Sequence, residues 1–190
     1  MTATPEPRPD TARGTLVEFA GLPGTGKSTL ARQLALRTGA VLLRIDEIEA
    51  ALRRNNLTAE QTGVASYSVA HDLAASHLSR GLIVIADAVN PVEAARAGWR
   101  ELARDCGARH RVIETQCPDN AEHRRRVEQR AAAHPTAGHS AATPGWSPPT
   151  WPGVEKRAAE YQPRTDERLI VDTTSPLATS HRLVAEYLGL

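Results

Sequence analysis

The stretch Gly21-Leu-Pro-Gly-Thr-Gly26-Lys27-Ser28 combines glycines, a lysine and a hydroxyl group at the spacing G-x-x-x-x-G-K-[ST]. Glycines at this spacing let the backbone turn tightly and aim its N–H groups at an anion, and a following helix adds its positive end. Lys27 and Lys156 are the two lysines of a chain whose other cations are arginines. A narrow phosphate site favours a compact ammonium over a planar guanidinium. The stretch therefore predicts a phosphate-binding loop, with Lys27 on the β- and γ-phosphates and Ser28 on Mg²⁺. The predicted nucleotide contacts are Gly21, Leu22, Pro23, Gly24, Thr25, Gly26, Lys27, Ser28 and Thr29.

Two aspartates, Asp46 and Asp87, each follow an apolar run that is typical of a buried strand, "AVLLRI" and "LIVIA". A carboxylate in the position of Asp87 can hold Mg²⁺ directly or through water. The alternative is that Asp87 caps the turn before Asn90. Asp46 either caps the helix that follows it or acts on the reacting groups, and the sequence leaves open an exchange of roles between the two aspartates. Asn90, with Pro91 and Glu93 after it, is predicted to cap the next helix.

The elements that must position these residues alternate between strands and helices. Strands are predicted at 15–21, 40–45, 82–87, 109–115 and 167–172, and helices at 27–38, 46–54, 58–80, 90–106, 119–133 and from about 176. This alternation predicts a parallel sheet with helices on both faces, and such sheets bind ligands at the carboxyl ends of their strands. The phosphate loop, Asp46, Asp87 and the segment after Asp172 are therefore expected to lie at one edge.

The composition is that of one soluble domain, since 41% of the 190 residues are hydrophobic and 24% are charged. The net charge of +1 gives no field that would attract nucleic acid or a membrane surface. Cys106 and Cys117 lack metal-ligand spacing and are expected to be reduced packing residues. Residues 1–14 lack the apolar core of a signal peptide, and we expect them to be a disordered tail. The prediction is a cytoplasmic protein with one domain over 15–190, either a monomer or a homodimer, with no membrane contact.

Three stretches, "LVEFAGLPGTGKSTLARQLA", "LLRIDEI" and "GLIVIADAVNP", resemble the AAA-type P-loop ATPase/kinase family that is grouped with zeta toxins. They are also similar to chloramphenicol phosphotransferase and gluconate kinase. The resemblance continues through "RRRVEQR", "PTWPGVEKRAAEYQP" and "RLIVDTT", so it covers about 15–188. It implies a three-layer α/β fold of the P-loop NTPase, nucleoside-kinase-like type. The implied parallel sheet has five strands in the order 2-3-1-4-5, with a lid at about 119–160. The implied activity is that of a phosphotransferase that uses ATP and Mg²⁺.

The resemblance also implies roles for single residues. Asp46 matches the aspartate that takes the proton of the acceptor hydroxyl, which requires a carboxylate within hydrogen-bond reach. Arg126 and Arg130, which share a helix face, match lid arginines that neutralise the phosphates. Thr174 lies where related kinases bind the adenine. The other arginines of the run are expected to be solvated or paired with glutamates: Arg124 and Arg125, with Glu122 and Glu128.

The acceptor pocket is expected between the helix that starts near Thr58 and the lid. The candidate lining residues are Arg53, Tyr67, His71, Trp146 and Trp151. For Tyr67 and His71 the alternative is packing in the core. The two tryptophans lie in a Pro- and Gly-rich stretch, 134–153, which we expect to be an irregular loop. In such a loop a tryptophan either anchors the lid or contacts a ligand.

Three functions follow from these observations. The leading prediction is a small-molecule kinase that transfers the γ-phosphate of ATP to a hydroxyl of a metabolite, sugar, nucleoside or antibiotic. The second is a kinase that acts on nucleic-acid ends or tRNA; the arginine run supports it, and the net charge of +1 argues against it. The third is a non-catalytic nucleotide-binding module that senses ATP. The sequence has no guanine-reading N-K-x-D motif, which favours ATP over GTP.

Overall fold

The structure, a computed structural model, describes residues 13–133, 139–140, 143–144 and 147–190. Its strands are β1 (Thr15–Ala20), β2 (Val41–Arg44), β3 (Ile83–Asp87), β4 (Arg109–Gln116), β5 (His139–Ser140), β6 (Thr143–Pro144) and β7 (Leu169–Asp172). The central sheet is parallel and has the order β2-β3-β1-β4-β7, whereas β5 and β6 form a separate antiparallel pair. The predicted order 2-3-1-4-5 of five parallel strands is therefore confirmed.

The helices are α1 (Lys27–Thr38), α2 (Ile45–Arg54), α3 (Ala59–Leu78), α4 (Glu93–Asp105), α5 (Asn120–Ala132), α6 (Trp151–Glu160) and α7 (Leu177–Leu188). Local signals fix several of their ends. Thr58 and Gln61 form the predicted capping box before α3, and Gly39 ends α1 in the left-handed conformation. The expected loop over 134–153 is wrong at its C-terminal end, because α6 begins at Trp151. The Thr150 side chain accepts a hydrogen bond from the Gly153 N–H there.

The core lies on both faces of the sheet, as the alternation of elements predicts. Successive residues of a strand point to opposite faces. Accordingly, Leu16 of β1 packs in the cluster under α3 and α4, whereas Val17 and Phe19 pack in the cluster under α1 and α7. Trp99 of α4 is fully buried in the first cluster. Packing in the two clusters fixes the positions of the strands, and therefore of the polar residues at their carboxyl ends.

Asn90 does not cap a helix, so that prediction is wrong. The structure gives Asn90 a φ of 48°, and its Oδ1 accepts hydrogen bonds from the Tyr67 hydroxyl and the Trp99 Nε1. Its Nδ2 donates to Glu18, a carboxylate of β1 that is 0% exposed. Buried polar atoms must find hydrogen-bond partners, and these tertiary partners compete with a local cap.

Helix α4 instead begins at Glu93, after Val92 in the N-cap position. The Glu93 N–H donates to the Gln162 side chain, which comes from the segment after α6 and replaces the local cap.

Arg96 ties the segment after α6 to the segment before α4. Its buried guanidinium donates to four backbone carbonyls, at distances of 2.7 to 3.1 Å. The guanidinium also lies 5.0 Å from the centre of the Tyr161 ring, within the range of a cation–π contact. The four carbonyls belong to Asn90, Pro91, Gln162 and Pro163.

Three expectations from composition concern the chain as a whole. In the described ranges no helix has the length and apolarity to span a bilayer. Cys106 and Cys117 are free, and Cys117 is buried. Of the predicted tail, residues 1–12 lie outside the described residues. Gly14, at its end, is buried and accepts a hydrogen bond from the Arg109 N–H, so it belongs to the fold.

Candidate nucleotide and acceptor sites

The phosphate-binding loop connects β1 to α1, and two of its glycines are required by close contacts. A Cβ at Gly21 would lie 2.4 Å from the Thr115 carbonyl oxygen, and a Cβ at Gly24 would lie 2.5 Å from the Val127 side chain. Both residues have a positive φ, 128° and 88°, which glycine adopts without strain. At the N-cap residue Gly26 no side chain accepts a hydrogen bond from α1, so the start of this helix can bind an anion.

Not every residue of the loop faces a cavity. Thr25 is buried, and its hydroxyl donates to the Leu22 carbonyl at 2.8 Å and lies 2.7 Å from the Thr115 hydroxyl. Gly21, Leu22 and Thr25 hold the shape of the loop and line neither of the two cavities described below, and their contact with a nucleotide stays a prediction. The Pro23 carbonyl lies 2.8 Å from the His123 Nε2, which links the loop to α5.

The larger of two adjoining cavities begins at this loop and has a volume of about 600 Å³. Its charged lining contains five cations and two carboxylates, which suits a polyanion such as the triphosphate of ATP. The charged residues are Lys27, Arg32, Arg44, Arg126 and Arg130, with Asp46 and Glu47. The other lining residues are Gly24, Gly26, Ser28, Thr29 and Leu30 near the loop, and Thr173, Ser175, Leu177 and Ser180 after β7.

The smaller cavity has a volume of about 150 Å³ and lies on the other side of the phosphate loop's lysine. It is lined by Pro23, Lys27, Ser28, Asp46, Glu49, Ala50, Arg53, Val89, Arg130, Ser147, Pro149 and Arg157. Four residues line both cavities and form the wall between them: Lys27, Ser28, Asp46 and Arg130.

Lys27 lies in this wall with little local compensation for its charge. It is 8% exposed, and its Nζ lies 3.5 Å from the Leu22 carbonyl oxygen. Burial lowers the pKa of the Lys27 ammonium, and the carboxylates of Asp87 and Asp46 oppose that shift. A bound phosphate would supply the negative charge that this buried ammonium lacks.

Asp46 is not the N-cap of α2, so that alternative is wrong. The N-cap residue is Arg44, and Asp46 lies in the first turn of the helix, where the helix dipole favours a carboxylate. This position brings Asp46 into both cavities.

Asp87 ends β3 beside the phosphate loop and is 4% exposed. Its Oδ2 accepts a hydrogen bond of 3.0 Å from the Arg44 Nε, whereas its Oδ1 is buried without a partner in the described part of the chain. Arg44, which pairs with Asp87 and lines the larger cavity, is a residue of the site that the sequence reasoning missed. The signal was present, since Arg44 is the one charge within the apolar run "AVLLRI".

The residues at this edge fit Mg²⁺. A buried carboxylate oxygen without a partner and the Ser28 hydroxyl at the cavity wall are both oxygen ligands of the type Mg²⁺ prefers. Among the described residues no group of three or more His, Cys, Asp or Glu could hold a metal ion. Mg²⁺ commonly takes one or two carboxylates and completes its shell with water and phosphate oxygens, so it would enter with the nucleotide.

The arginine run of α5 divides into two pairs. Arg124 and Arg125 are exposed and form ion pairs with Glu128 and Glu122, as predicted. Arg126 faces the larger cavity, where its guanidinium donates to the Thr173 hydroxyl at 3.0 Å and to the Thr173 carbonyl at 2.9 Å. Arg130 lines both cavities; burial lowers its pKa, and the Asp46 carboxylate opposes that shift.

Thr174 is not brought to the larger cavity. Its N–H and hydroxyl both donate to the Asp172 carboxylate, at 2.8 and 2.6 Å. Its neighbours Thr173 and Ser175 line the cavity instead. The chain turns directly after β7, and this turn directs Thr174 to Asp172. Binding of adenine by this segment stays a prediction.

Of the predicted acceptor residues, Arg53 lines the smaller cavity, whereas Tyr67 and His71 line neither cavity. Tyr67 and His71 pack against Trp99, with ring centres 6.3 and 4.3 Å from the indole. Burial raises the pKa of the Tyr67 hydroxyl and lowers the pKa of His71. The alternative of core packing therefore holds for both residues.

The two tryptophans of the predicted loop have different outcomes. Trp151 packs edge-on against His123 at 5.3 Å and lines neither of the two cavities. Trp146 lies outside the described residues.

The phosphate loop, the strand order and the strand-end aspartates define a P-loop nucleotide-binding protein. More particularly, the family model described as "AAA domain" matches residues 16–144, and the chain belongs to that family. No curated protein shows significant similarity to the chain.

Solved structures share the fold over nearly the whole chain. A protein from Chloroflexus aurantiacus, proposed to be a kinase, is 19% identical with a TM-score of 0.72, over 92% of this chain and 98% of that one. The Mycobacterium tuberculosis APS kinase CysC in complex with AMPPNP and APS is 21% identical with a TM-score of 0.65, over 94% and 99%. A gluconokinase from Sinorhizobium meliloti is 16% identical with a TM-score of 0.66, over 95% and 94%. At these identities the likeness shows the fold.

Proposed function

We propose that this protein is an ATP-dependent kinase that transfers the γ-phosphate of ATP to a hydroxyl group of a small molecule. The observation that carries the proposal is the common wall of the two cavities, formed by Lys27, Ser28, Asp46 and Arg130. A phosphoryl group that leaves a nucleotide in the larger cavity meets an acceptor in the smaller one at this wall. The names of two structural relatives, APS kinase and gluconokinase, agree with a phosphotransferase.

In the proposed reaction the acceptor hydroxyl oxygen forms a bond to the γ-phosphorus, and the bond from that phosphorus to the bridging oxygen of ADP breaks. Asp46 orients the hydroxyl and accepts its proton. Lys27 and Arg130 stabilise the negative charge on the transferred phosphoryl oxygens. Because positioning and charge stabilisation dominate this chemistry, their placement in one wall matters more than the basicity of Asp46.

Ser28 and Asp87 are the residues that would hold Mg²⁺, through the Ser28 hydroxyl and the buried Oδ1 of Asp87. When bound, Mg²⁺ neutralises charge on the phosphates and helps to orient them. Arg44 holds the other oxygen of Asp87 and thereby fixes the direction of the free one.

Two alternatives have less support from the geometry. A module that only senses ATP would not need the Asp46 carboxylate, which faces both cavities. A kinase for nucleic-acid ends would use the arginine run as a basic surface, but the exposed Arg124 and Arg125 are paired with glutamates.

The test is ATP turnover by the purified protein with Mg²⁺ and a panel of hydroxylated metabolites and antibiotics, with the phosphorylated product identified by mass. We expect Asp46→Asn to lower kcat by about 10²- to 10⁴-fold, the usual contribution of a general base. Its affinity for ATP should stay within about twofold, because Lys27 and the loop remain. Asp105→Asn, at the exposed end of α4, is the matched control and should turn over like the wild type. Turnover by Asp46→Asn at the wild-type rate would contradict the proposal and favour the sensor.

A further inference from the structure

The smaller cavity has more positive charge than phosphoryl transfer requires. Its lining has four cations and two carboxylates, a formal excess of two positive charges: Lys27, Arg53, Arg130 and Arg157 against Asp46 and Glu49. Lys27 and Arg130 also face the larger cavity and serve the transferred phosphoryl group. Arg53 and Arg157 line the smaller cavity alone, so the nucleotide does not account for them.

The two remaining arginines differ in how their charge is balanced. Arg53, near the end of α2, forms an ion pair with Glu49 one turn earlier. Arg157 is an exposed residue of α6 and has no hydrogen bond or ion pair with any residue that the structure describes. Its helix neighbour Lys156 is also exposed, lies 4.0 Å from Glu160 and does not line the cavity. Of the two arginines that line this cavity alone, Arg157 is therefore the one whose charge the described residues leave unbalanced.

The rest of the lining indicates what does not bind there. Among the described lining residues no aromatic side chain is present, and the apolar part consists of Ala50, Val89 and two prolines. Aromatic rings are the usual surface on which a base or an aromatic ligand stacks. The volume of about 150 Å³ is comparable to a cavity that holds one benzene ring. The cavity suits a short, charged, non-aromatic molecule.

We infer that the acceptor is a small hydroxylated anion, with a carboxylate or phosphate group, and that Arg157 binds this group in the smaller cavity while Asp46 receives the hydroxyl. The inference rests on the proposed kinase function and narrows its substrate class. A guanidinium binds a carboxylate or a phosphate with two parallel hydrogen bonds, so it fixes the orientation of the acceptor as well as its charge. Arg53, whose charge is balanced by Glu49, lines the same cavity.

The first experiment compares matched acceptors that differ by one anionic group: glycerate with glycerol, gluconate with sorbitol, and glucose 6-phosphate with glucose. Turnover of ATP and the mass of the product are measured for the wild type, Arg157→Gln, Arg157→Lys and Lys156→Gln. We expect phosphorylation of at least one anionic member and a kcat/KM at least tenfold lower for its neutral partner. Arg157→Gln should raise the KM for the anion by about 10- to 100-fold with kcat and the KM for ATP nearly unchanged. Arg157→Lys should recover part of the loss, and Lys156→Gln should equal the wild type.

The second experiment measures binding and does not depend on turnover. The protein is saturated with Mg²⁺ and AMPPNP, which fills the larger cavity, and is titrated calorimetrically with glycerate, glycerol and inorganic phosphate. We expect an anion to bind the wild type and Lys156→Gln, and to bind Arg157→Gln at least tenfold more weakly. Comparing the affinities for glycerate and for phosphate shows whether the site binds a carboxylate or a phosphate group.

The outcomes distinguish the inference from the function on which it rests. Phosphorylation of neutral and anionic acceptors with equal kcat/KM, or an unchanged KM in Arg157→Gln, overturns the inference and leaves the kinase standing. If no compound is phosphorylated, the proposed function is overturned, and the titration decides whether Arg157 binds an anion. Equal binding of all probes to the wild type and Arg157→Gln, or binding to neither, overturns the inference.

Discussion

The two cavities meet at one wall but are built in different ways. The larger cavity takes six of its lining residues from one short loop and the start of α1, within residues 24–30. The smaller cavity draws its own residues from distant parts of the chain, such as Pro23, Arg53, Val89 and Arg157. The nucleotide half is therefore a local structure, whereas the acceptor half depends on how α2, β3 and α6 are placed. This difference explains why the sequence indicates the nucleotide and leaves the acceptor open.

The largest expected effect is on the stability of the fold and concerns the buried ion pair between Arg44 and Asp87, beside the phosphate-binding loop. Arg44→Leu leaves the Asp87 carboxylate buried without a partner, so we expect it to lower the free energy of unfolding by about 3–5 kcal/mol. The double variant Arg44→Leu/Asp87→Leu should recover most of that stability, because no buried charge remains. Denaturant unfolding measures both values.

A matched exposed pair gives the control. Arg182→Gln removes the partner of Glu186 on the surface of α7, and we expect a loss below about 1 kcal/mol. Equal losses for Arg44→Leu and Arg182→Gln would mean that the pair with Asp87 does not stabilise the sheet edge.

The next effect, on the affinity for ATP, tests whether the two cavities are separate binding sites. Lys27→Ala removes the buried ammonium of the common wall, and we expect ATP to bind about 100-fold more weakly, since a charged hydrogen bond contributes about 1.5–3 kcal/mol. Arg53→Gln lies in the smaller cavity alone and should leave the Kd for ATP unchanged. Calorimetric titration with ATP and Mg²⁺ gives both constants. A similar loss in the two variants would show that the cavities are not separate sites.

The smallest effect concerns two arginines two residues apart on α5. Arg126→Gln removes one cation of the larger cavity and its two contacts with Thr173, and we expect the KM for ATP to rise about tenfold. Arg124→Gln removes one exposed pair with Glu128, worth about 0.3–0.5 kcal/mol, and should leave that KM unchanged. Steady-state kinetics over a range of ATP concentrations makes the comparison. A rise of the same size in both variants would assign the effect to the net charge of α5 rather than to the cavity.

The sequence predicted the elements well because their signals are local. Apolar runs indicate the strands, and Thr58 with Gln61 or Gly39 marks a helix end within a few residues. The phosphate-binding loop is found in the same way, since its spacing is a property of eight consecutive residues. Local signals failed at Asn90, where the cap pattern was present but Glu18, Tyr67 and Trp99 bind the side chain instead.

The acceptor half was the part least open to prediction. Tyr67 and His71 carry suitable groups at helical spacing, but only the packing of α4 shows that Trp99 covers both. Arg157 lies in a stretch that carries the family resemblance but implies no role for it, and its proposed role depends on α6 and α2 lining one cavity. Arg44 and Glu18 could have been found, because a charge within a buried strand requires a partner.

The hydrogen bonds from Arg96 anchor α6 at one end only, its C-terminal end. The guanidinium fixes the backbone just after the helix, at Gln162 and Pro163. Any rotation of α6 would therefore occur about a point near its C-terminal end. With a rise of about 1.5 Å per residue, Trp151 lies about 13 Å from Glu160 and Arg157 only about 4 Å. A swing that displaces Trp151 by a given distance then moves the backbone of Arg157 by about one third as much. Arg157 therefore lies near the anchored end of α6. Its position beside the smaller cavity would change little if the N-terminal end of the helix moved.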